Sequence, residues 1–136
     1  MEITKVANYF EIKYAQDMDT KIKIADVKRE LESFTGSTYA FFKACNLDEK
    51  TKSVYIDTLN RFKSAGQVQL DRFQKERKKA ELDYVYNNLN IIYNWFKSPE
   101  MFKGMPAEVI RTLKSGIANS FTNIVSKLRE LYSLVK

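Results

Sequence analysis

The sequence predicts an all-α protein, a compact bundle of four to five helices. Its 136 residues contain only 4 Gly and 2 Pro, and a chain of many strands would need more tight turns than these residues allow. Apolar residues recur every three or four positions over most of the chain, which is the period of one face of an α-helix. With 44% hydrophobic and 29% charged residues, the composition is that of a globular protein. At this length we expect a single domain over residues 1–136.

The N-terminal quarter contains two apolar stripes at helical spacing. The first predicts a helix to about Gln16 and consists of Ile3, Val6, Ala7, Phe10 and Tyr14. The second predicts a helix that begins near Asp19 or Thr20, ends before Gly36 and consists of Ile24, Val27, Leu31 and Phe34. Whether the two helices are continuous through residues 17–20 is left open by the sequence.

The next segment is predicted to be a short buried turn followed by a helix. Ser37 or Thr38 is expected to begin the turn, in which aromatic residues leave little polar face and Cys45 is a small core residue. Asn46 with Glu49 three residues later has the form of a capping box, which predicts a helix from there to about residue 65. Gly66 either ends this helix or lies inside a longer one, because a single Gly costs only about 1 kcal/mol in a helix.

The C-terminal half predicts a long antiparallel helical hairpin, about 67–97 and 106–135. No Gly or Pro interrupts the first of these ranges, and Pro99 and Pro106 bound the connector between them. The second range keeps one apolar face along its whole length. Two helices of similar length with a short connector pack side by side. Folding them about residue 102 would place Lys75 near Arg129 and Leu89 near Gly116.

The absence of certain residue types excludes many kinds of catalytic and metal site. The chain has no His and a single Cys, which excludes nucleophile systems that need His, His-ligated metals and cysteine-only zinc sites. No Gly-rich phosphate loop is present. We therefore expect no catalytic residues, no metal and no cofactor, and a protein that is not an enzyme.

Cysteine content and hydropathy predict an intracellular, cytoplasmic protein that is not secreted. Cys45 has no second Cys with which to form a disulfide, and the first ten residues lack the pattern of a signal peptide. No apolar run approaches the roughly 20 residues that a membrane span requires.

Positive charge is concentrated in the second half of the chain. The net charge is +6, and residues 61–97 carry 8 Lys and Arg against 4 Asp and Glu. On one continuous helix Arg72, Lys75 and Lys79 would share a face and could follow a row of phosphates. The alternative is a solvated helix surface. The predicted nucleic-acid-binding residues are Arg61, Lys63, Arg72, Lys75, Arg77, Lys78, Lys79, Lys127 and Arg129.

A polar stripe runs along the following segment. Asp83, Asn87, Asn90 and Asn94 recur at helical spacing, with Tyr86 and Tyr93 beside them. An Asn amide both donates and accepts hydrogen bonds, and a Tyr ring can stack on a base. The alternative is the solvent side of a deeply packed helix. The predicted partner-binding residues are Tyr86, Asn87, Asn90, Tyr93 and Asn94.

Together these features predict a non-enzymatic helical bundle that binds a nucleic-acid phosphate backbone without reading sequence, as a small subunit or accessory protein of a nucleoprotein assembly. In size, helicity, basic balance and lack of catalytic groups the chain is similar to the small helical subunits of CRISPR effector complexes and to the coat proteins of archaeal filamentous viruses. The alternative is a protein-interaction adaptor or chaperone-like bundle with no nucleic-acid role. A peripheral membrane role fits less well, because residues 72–79 have no apolar strip opposite their basic face.

Overall fold

The computed structural model describes the backbone of residues 2–136 and the side chains of residue 9 and residues 11–136. Within this range the protein has four α-helices, one short 3-10 helix and no strand. The α-helices are α1 (Glu2–Ala44), α2 (Glu49–Glu76), α3 (Lys79–Trp95) and α4 (Ala107–Tyr132), and the 3-10 helix spans Pro99–Phe102. The predicted all-α bundle is confirmed.

The four helices pack as a ring around one core. Helix α1 contacts α2 and α4, and α3 contacts the same two helices, with the α1–α4 contact the most extensive. Apolar side chains from all four helices are fully buried between them, among them Leu31, Phe34, Leu59, Phe73, Leu89 and Ile124. This order leaves α3 and α4 side by side on one face of the bundle.

Helix α1 runs without interruption for 43 residues. The hydroxyl of Thr20 does not cap a second helix; it donates to the Gln16 carbonyl at 3.0 Å, within the same helix. The predicted end before Gly36 and the separate turn after it are wrong. A lone helical Gly costs about 1 kcal/mol, whereas the helix on either side buries Phe34 and Phe41 completely, each contributing about 1.5–3 kcal/mol.

Helix α2 begins at Glu49, but the predicted capping box is wrong. The cap is Asp48, whose carboxylate accepts from the Thr51 amide at 3.3 Å, and this hydrogen bond lowers the Asp48 pKa. The Asn46 side chain instead donates to the Lys103 carbonyl at 3.3 Å, which ties the α1–α2 connector to the α3–α4 connector. Helix α2 also continues through Gly66, where an added Cβ would lie only 3.3 Å from a Leu31 methyl carbon.

The predicted continuous helix over 67–97 is wrong, because the chain turns back at Arg77. This residue adopts the left-handed conformation, with φ 56°. The hydrogen bonds that hold the turn include one from the Lys78 amide to Glu81 at 2.9 Å and one from the Lys136 amide to the Arg77 carbonyl at 3.0 Å. A left-handed residue costs about 1–2 kcal/mol, less than the burial gained when α3 folds back onto α2.

The antiparallel hairpin therefore exists as α3 and α4, with a register different from the predicted one. Folding about residue 102 would place Tyr93 opposite Arg111, but the Tyr93 ring stacks on Phe121 at 4.2 Å between centroids. The 3-10 helix and the turn after it occupy the connector, and α4 begins at Ala107. The predicted placement of Leu89 near Gly116 is also wrong, since Gly116 is exposed and an added Cβ would meet nothing within 4 Å.

An aromatic cluster closes the end of the bundle at which α1 ends and α4 begins. The Phe41 ring packs edge-on against Phe96 at 4.8 Å and Phe102 at 5.2 Å between centroids. Trp95 packs against Tyr55 at 4.8 Å. Trp95 and Phe96 thus anchor this end of the bundle, and Cys45 is buried in the same core, as predicted.

Candidate nucleic-acid interface

Three of the predicted basic residues lie on the outer face of α2. Arg61, Arg72 and Lys75 are exposed, while Lys63 is half-buried. Arg61 and Arg72 point in nearly the same direction and are separated by about 16 Å along the helix. The exposed Val68 lies between them. This face is a widely spaced basic row.

The predicted common face of Arg72, Lys75 and Lys79 is wrong, because the turn at residue 77 separates α2 from α3. Arg77 itself is held within the fold: its side chain is only 12% exposed and lies 3.8 Å from Asp17. Its Nε also donates to the Gln74 carbonyl. The charge of Arg77 therefore stabilises the junction of the helices.

The two predicted basic residues of α4 point in different directions. Lys127 faces α1, with Nζ 4.0 Å from the Asp26 carboxylate. Arg129 is exposed and faces α3, where it lines a cavity with Lys79. The nine residues therefore do not form the single basic end that the hairpin register suggested. As binding residues they stay a prediction.

A groove between α3 and α4 contains two cavities, which we name after their tyrosines. The Tyr93 cavity, of about 340 Å³, lies nearer the connector and is lined by Tyr93, Phe96, Lys97, Lys114, Ile117 and Ala118. The Tyr86 cavity, of about 520 Å³, lies nearer the chain's C-terminus and is lined by Lys79, Asp83, Tyr86, Asn87, Arg129 and Tyr132. We call both cavities and the surface between them the α3–α4 groove.

At the Tyr93 cavity two lysines approach from opposite sides, and each lies beside an aromatic ring. Lys97 Nζ is 6.0 Å from the Tyr93 centroid, and Lys114 Nζ is 4.5 Å from the Phe102 centroid. Ring faces attract cations at such distances. Both lysines are exposed, and neither forms an ion pair within the described part of the chain. Two free positive charges therefore flank this cavity.

In the Tyr86 cavity the single carboxylate is already bonded. Asp83 accepts from the Tyr132 hydroxyl at 2.7 Å and from Lys79 Nζ at 3.3 Å. These bonds, that from Tyr132 most strongly, lower the pKa of Asp83. Burial and the bond to Asp83 raise the pKa of Tyr132. Arg129 has no ion pair among the described residues and leaves a positive charge at this end too.

The groove brings together residues from both predicted sets, the basic residues and the partner-binding residues. Three of the predicted partner-binding residues line it on the α3 side, Tyr86 and Asn87 in one cavity and Tyr93 in the other. Two predicted cations, Lys79 and Arg129, lie at one end. Lys97 and Lys114 were missed. Lys97 continues the stripe of Asn87, Asn90 and Asn94 by one more step of three residues, a signal that was available. Lys114 could be placed only with the register of α4.

The described residues offer no evident metal site. Among residues whose placement is described, no group of three or more Cys, Asp and Glu side chains could hold a metal ion. Over the same range, no helix has the length and apolar content to cross a membrane.

The fold and groove define a helical bundle with a cationic, aromatic cleft. No protein-family model, curated protein or solved structure matches the chain. The chemistry of the groove is therefore the basis for a functional proposal.

Proposed function

We propose that this protein is a non-enzymatic nucleic-acid-binding subunit that holds a phosphate backbone along the α3–α4 groove. One observation supports this most directly: Lys97, Lys114 and Arg129 are exposed and unpaired within the described chain, and the only carboxylate lining the two cavities, Asp83, is already hydrogen-bonded. Lys and Arg side chains that meet phosphates release condensed counterions, which contributes affinity without reading sequence.

The groove supports this role better than the outer face of α2 does. On α2 the arginines are about 16 Å apart, and the exposed side chain between them is the aliphatic Val68. In the groove, cations from two helices face one another across a concave surface that also carries rings and amides. A strand lying there would contact protein on both sides.

The test is the salt dependence of binding to labelled single- and double-stranded oligonucleotides, followed by fluorescence anisotropy. The wild-type affinity should fall steeply as salt rises. The variant Lys97→Glu, Lys114→Glu, Arg129→Glu should bind at least about tenfold more weakly, with a log–log salt slope shallower by about 2, since each phosphate contact to a single strand contributes about 0.7.

The matched control reverses three charges elsewhere, in the variant Arg61→Glu, Arg72→Glu, Lys75→Glu. Its net charge is the same as that of the groove variant, so an effect of net charge alone would weaken both equally. Loss of binding in the control but not in the groove variant would move the site to α2. No binding by the wild-type protein even at low salt would rule out the nucleic-acid role.

The second candidate is a protein-interaction role through α1. Tyr14, Met18 and Ile22 recur every four residues on the side of α1 that faces away from the bundle, and Tyr14 is 68% exposed. Charges of both signs surround this row, so two copies of a chain with net charge +6 could meet here with little repulsion. The occupant that fits is therefore a second copy.

Sedimentation equilibrium of the wild-type protein and of the variant Tyr14→Glu, Ile22→Glu distinguishes the two roles. Self-association that the substitutions abolish would support the contact through α1. A wild-type protein that is monomeric throughout would remove this candidate. The groove proposal predicts that the same variant binds nucleic acid as the wild type does.

A further inference from the structure

We infer that the α3–α4 groove takes an unpaired strand, with one base in the Tyr93 cavity against the Tyr93 ring and the neighbouring phosphates on Lys97 and Lys114. The inference rests on the proposed function and makes it specific. It names single-stranded nucleic acid as the ligand and a stacked base as the contact that favours it over a duplex.

The distribution of charge along the groove favours a single strand. Lys79 and Lys97 lie near the two ends of α3, about 27 Å apart along its axis. Between them the groove side of α3 carries Tyr86, Asn87, Asn90 and Tyr93. It also carries one carboxylate, that of Asp83, which is already bonded to Lys79 and Tyr132. A duplex presents a phosphate charge about every 1.7 Å of its axis and keeps its base faces covered. Rings and amides complement the faces and edges of unpaired bases.

The Tyr93 ring is held in a fixed orientation before any ligand binds. It stacks on Phe121 with an angle of 18° between the rings and 4.2 Å between their centroids. Tyr93 is half-buried and also forms part of the cavity wall. Because Phe121 already orders this ring, a base that stacks against it meets little further entropy cost in the protein.

The two lysines are placed to hold the backbone on either side of that base. Lys97 belongs to the segment after α3 and Lys114 to the second turn of α4, so they approach the same cavity from opposite sides. The volume of about 340 Å³ lies within the range of small-ligand sites, about 300–1,000 Å³. It is suited to one base rather than to several.

The experiment uses the full chain and a single strand that carries one 2-aminopurine, whose fluorescence falls when it stacks on a ring. The wild type should quench this fluorescence and bind the single strand more tightly than the matching duplex. Tyr93→Leu should lose the quenching and bind about tenfold more weakly, with an unchanged salt slope. Lys97→Gln with Lys114→Gln should make the slope shallower by about 1.4 and keep the quenching.

Tyr84→Leu is the matched control, because Tyr84 is an exposed tyrosine of α3 that lines neither cavity. It should bind and quench as the wild type does. Since Tyr93 also packs on Phe121, a second measurement needs no variant: the wild type should bind a strand with abasic sites about tenfold more weakly than the intact strand.

Equal affinity for abasic and intact strands, quenching that survives in Tyr93→Leu, or tighter binding of the duplex would each overturn the stacked-base inference. In all three cases, weaker binding by the variant Lys97→Glu, Lys114→Glu, Arg129→Glu would still support binding of the phosphate backbone in the groove. If that variant bound like the wild type, the groove itself would be the wrong site.

Discussion

At the scale of single residues, Asp83 connects the folding of the bundle to the charge of the groove. It joins α3 to α4 through the Tyr132 hydroxyl and accepts from Lys79 in the preceding turn of its own helix. Its negative charge offsets one cation and leaves Arg129 unpaired within the described chain. The positive charge of the Tyr86 cavity thus depends on the bonds that the Asp83 carboxylate forms with Tyr132 and Lys79.

The first prediction concerns Tyr132→Phe, which removes the hydroxyl and should lower the urea midpoint at neutral pH. Because the folded pKa of Asp83 is lowered, its contribution is present above the unfolded Asp pKa of about 3.9 and is lost as pH falls through the folded pKa. The difference between wild type and variant should therefore shrink in acid. Midpoints measured across pH test this, and a constant difference would contradict it.

The same variant should behave differently in alkali. The folded pKa of Tyr132 is raised, so above about pH 10 the unfolded tyrosine ionises before the folded one does. The wild type should then lose stability from this group as pH rises further. Tyr132→Phe lacks this loss, and Tyr84→Phe serves as the control.

The second prediction concerns two glycines with opposite roles. Gly36 is exposed within α1 and an added Cβ would meet nothing within 4 Å, so Gly36→Ala should raise the unfolding free energy by about 0.5–1 kcal/mol. Gly104 has φ 75°, and an added Cβ would lie 2.9 Å from the Asn46 amide nitrogen. Gly104→Ala should therefore destabilise by at least about 1 kcal/mol. Chemical denaturation of both variants checks the opposite signs.

At the scale of helices, two sequence patterns conflict at the turn between α2 and α3: helix propensity favours one continuous helix, whereas the spacing of the apolar residues indicates a turn. Residues 67–97 contain good helix formers and no Gly or Pro, so propensity favours one helix. The buried residues, however, would not stay on one side of a single helix from Phe73 to Leu82. A separation of nine residues places two side chains on opposite sides of a continuous helix, and this shift was the available sign of the turn.

The third prediction tests how that turn is held. Glu81 is buried and accepts the Lys78 amide, the hydrogen bond of a capping box. Glu81→Ala should destabilise the protein by about 1 kcal/mol, whereas Glu81→Gln keeps an acceptor oxygen and should lose less. The comparison is made by urea denaturation. Equal losses in both variants would mean that the hydrogen bond contributes little to the turn.

Helix α4 shows the opposite case, because most of its buried apolar face was predictable. Ile117, Ile124, Leu128 and Leu131 are buried, as their spacing indicates. Its register against α3 was not predictable, since the length of the connector depends on the 3-10 helix and on the bond from Asn46 to the Lys103 carbonyl. Periodicity within one helix contains no information on contacts between connectors.

At the scale of the whole molecule, the same limit explains why the candidate site was only partly predicted. Lys79 and Arg129 were selected for their charge, and Tyr93 for its place in the polar stripe. That they share one groove with Lys114 follows from the order of helices around the core and from the α3–α4 register. Both are properties of tertiary packing, in which burial decides which faces of the helices remain accessible.

The last prediction tests that order through the contact between α1 and α4. The hydroxyl oxygens of Ser33 and Ser120 are 3.4 Å apart, so a cysteine pair at these positions should reach disulfide geometry. On oxidation, Ser33→Cys with Ser120→Cys should form a disulfide that closes a loop of roughly 90 residues and raises the unfolding free energy by up to about 4 kcal/mol. Non-reducing gels and denaturation with and without reductant measure both effects.

Ser33→Cys with Thr122→Cys is the control, because Thr122 is exposed and lies about 200° around α4 from Ser120. If the control pair cross-linked as readily as the first pair, α1 and α4 would not be packed in this register, and the placement of the groove on the opposite side of α4 would have to be revised with it.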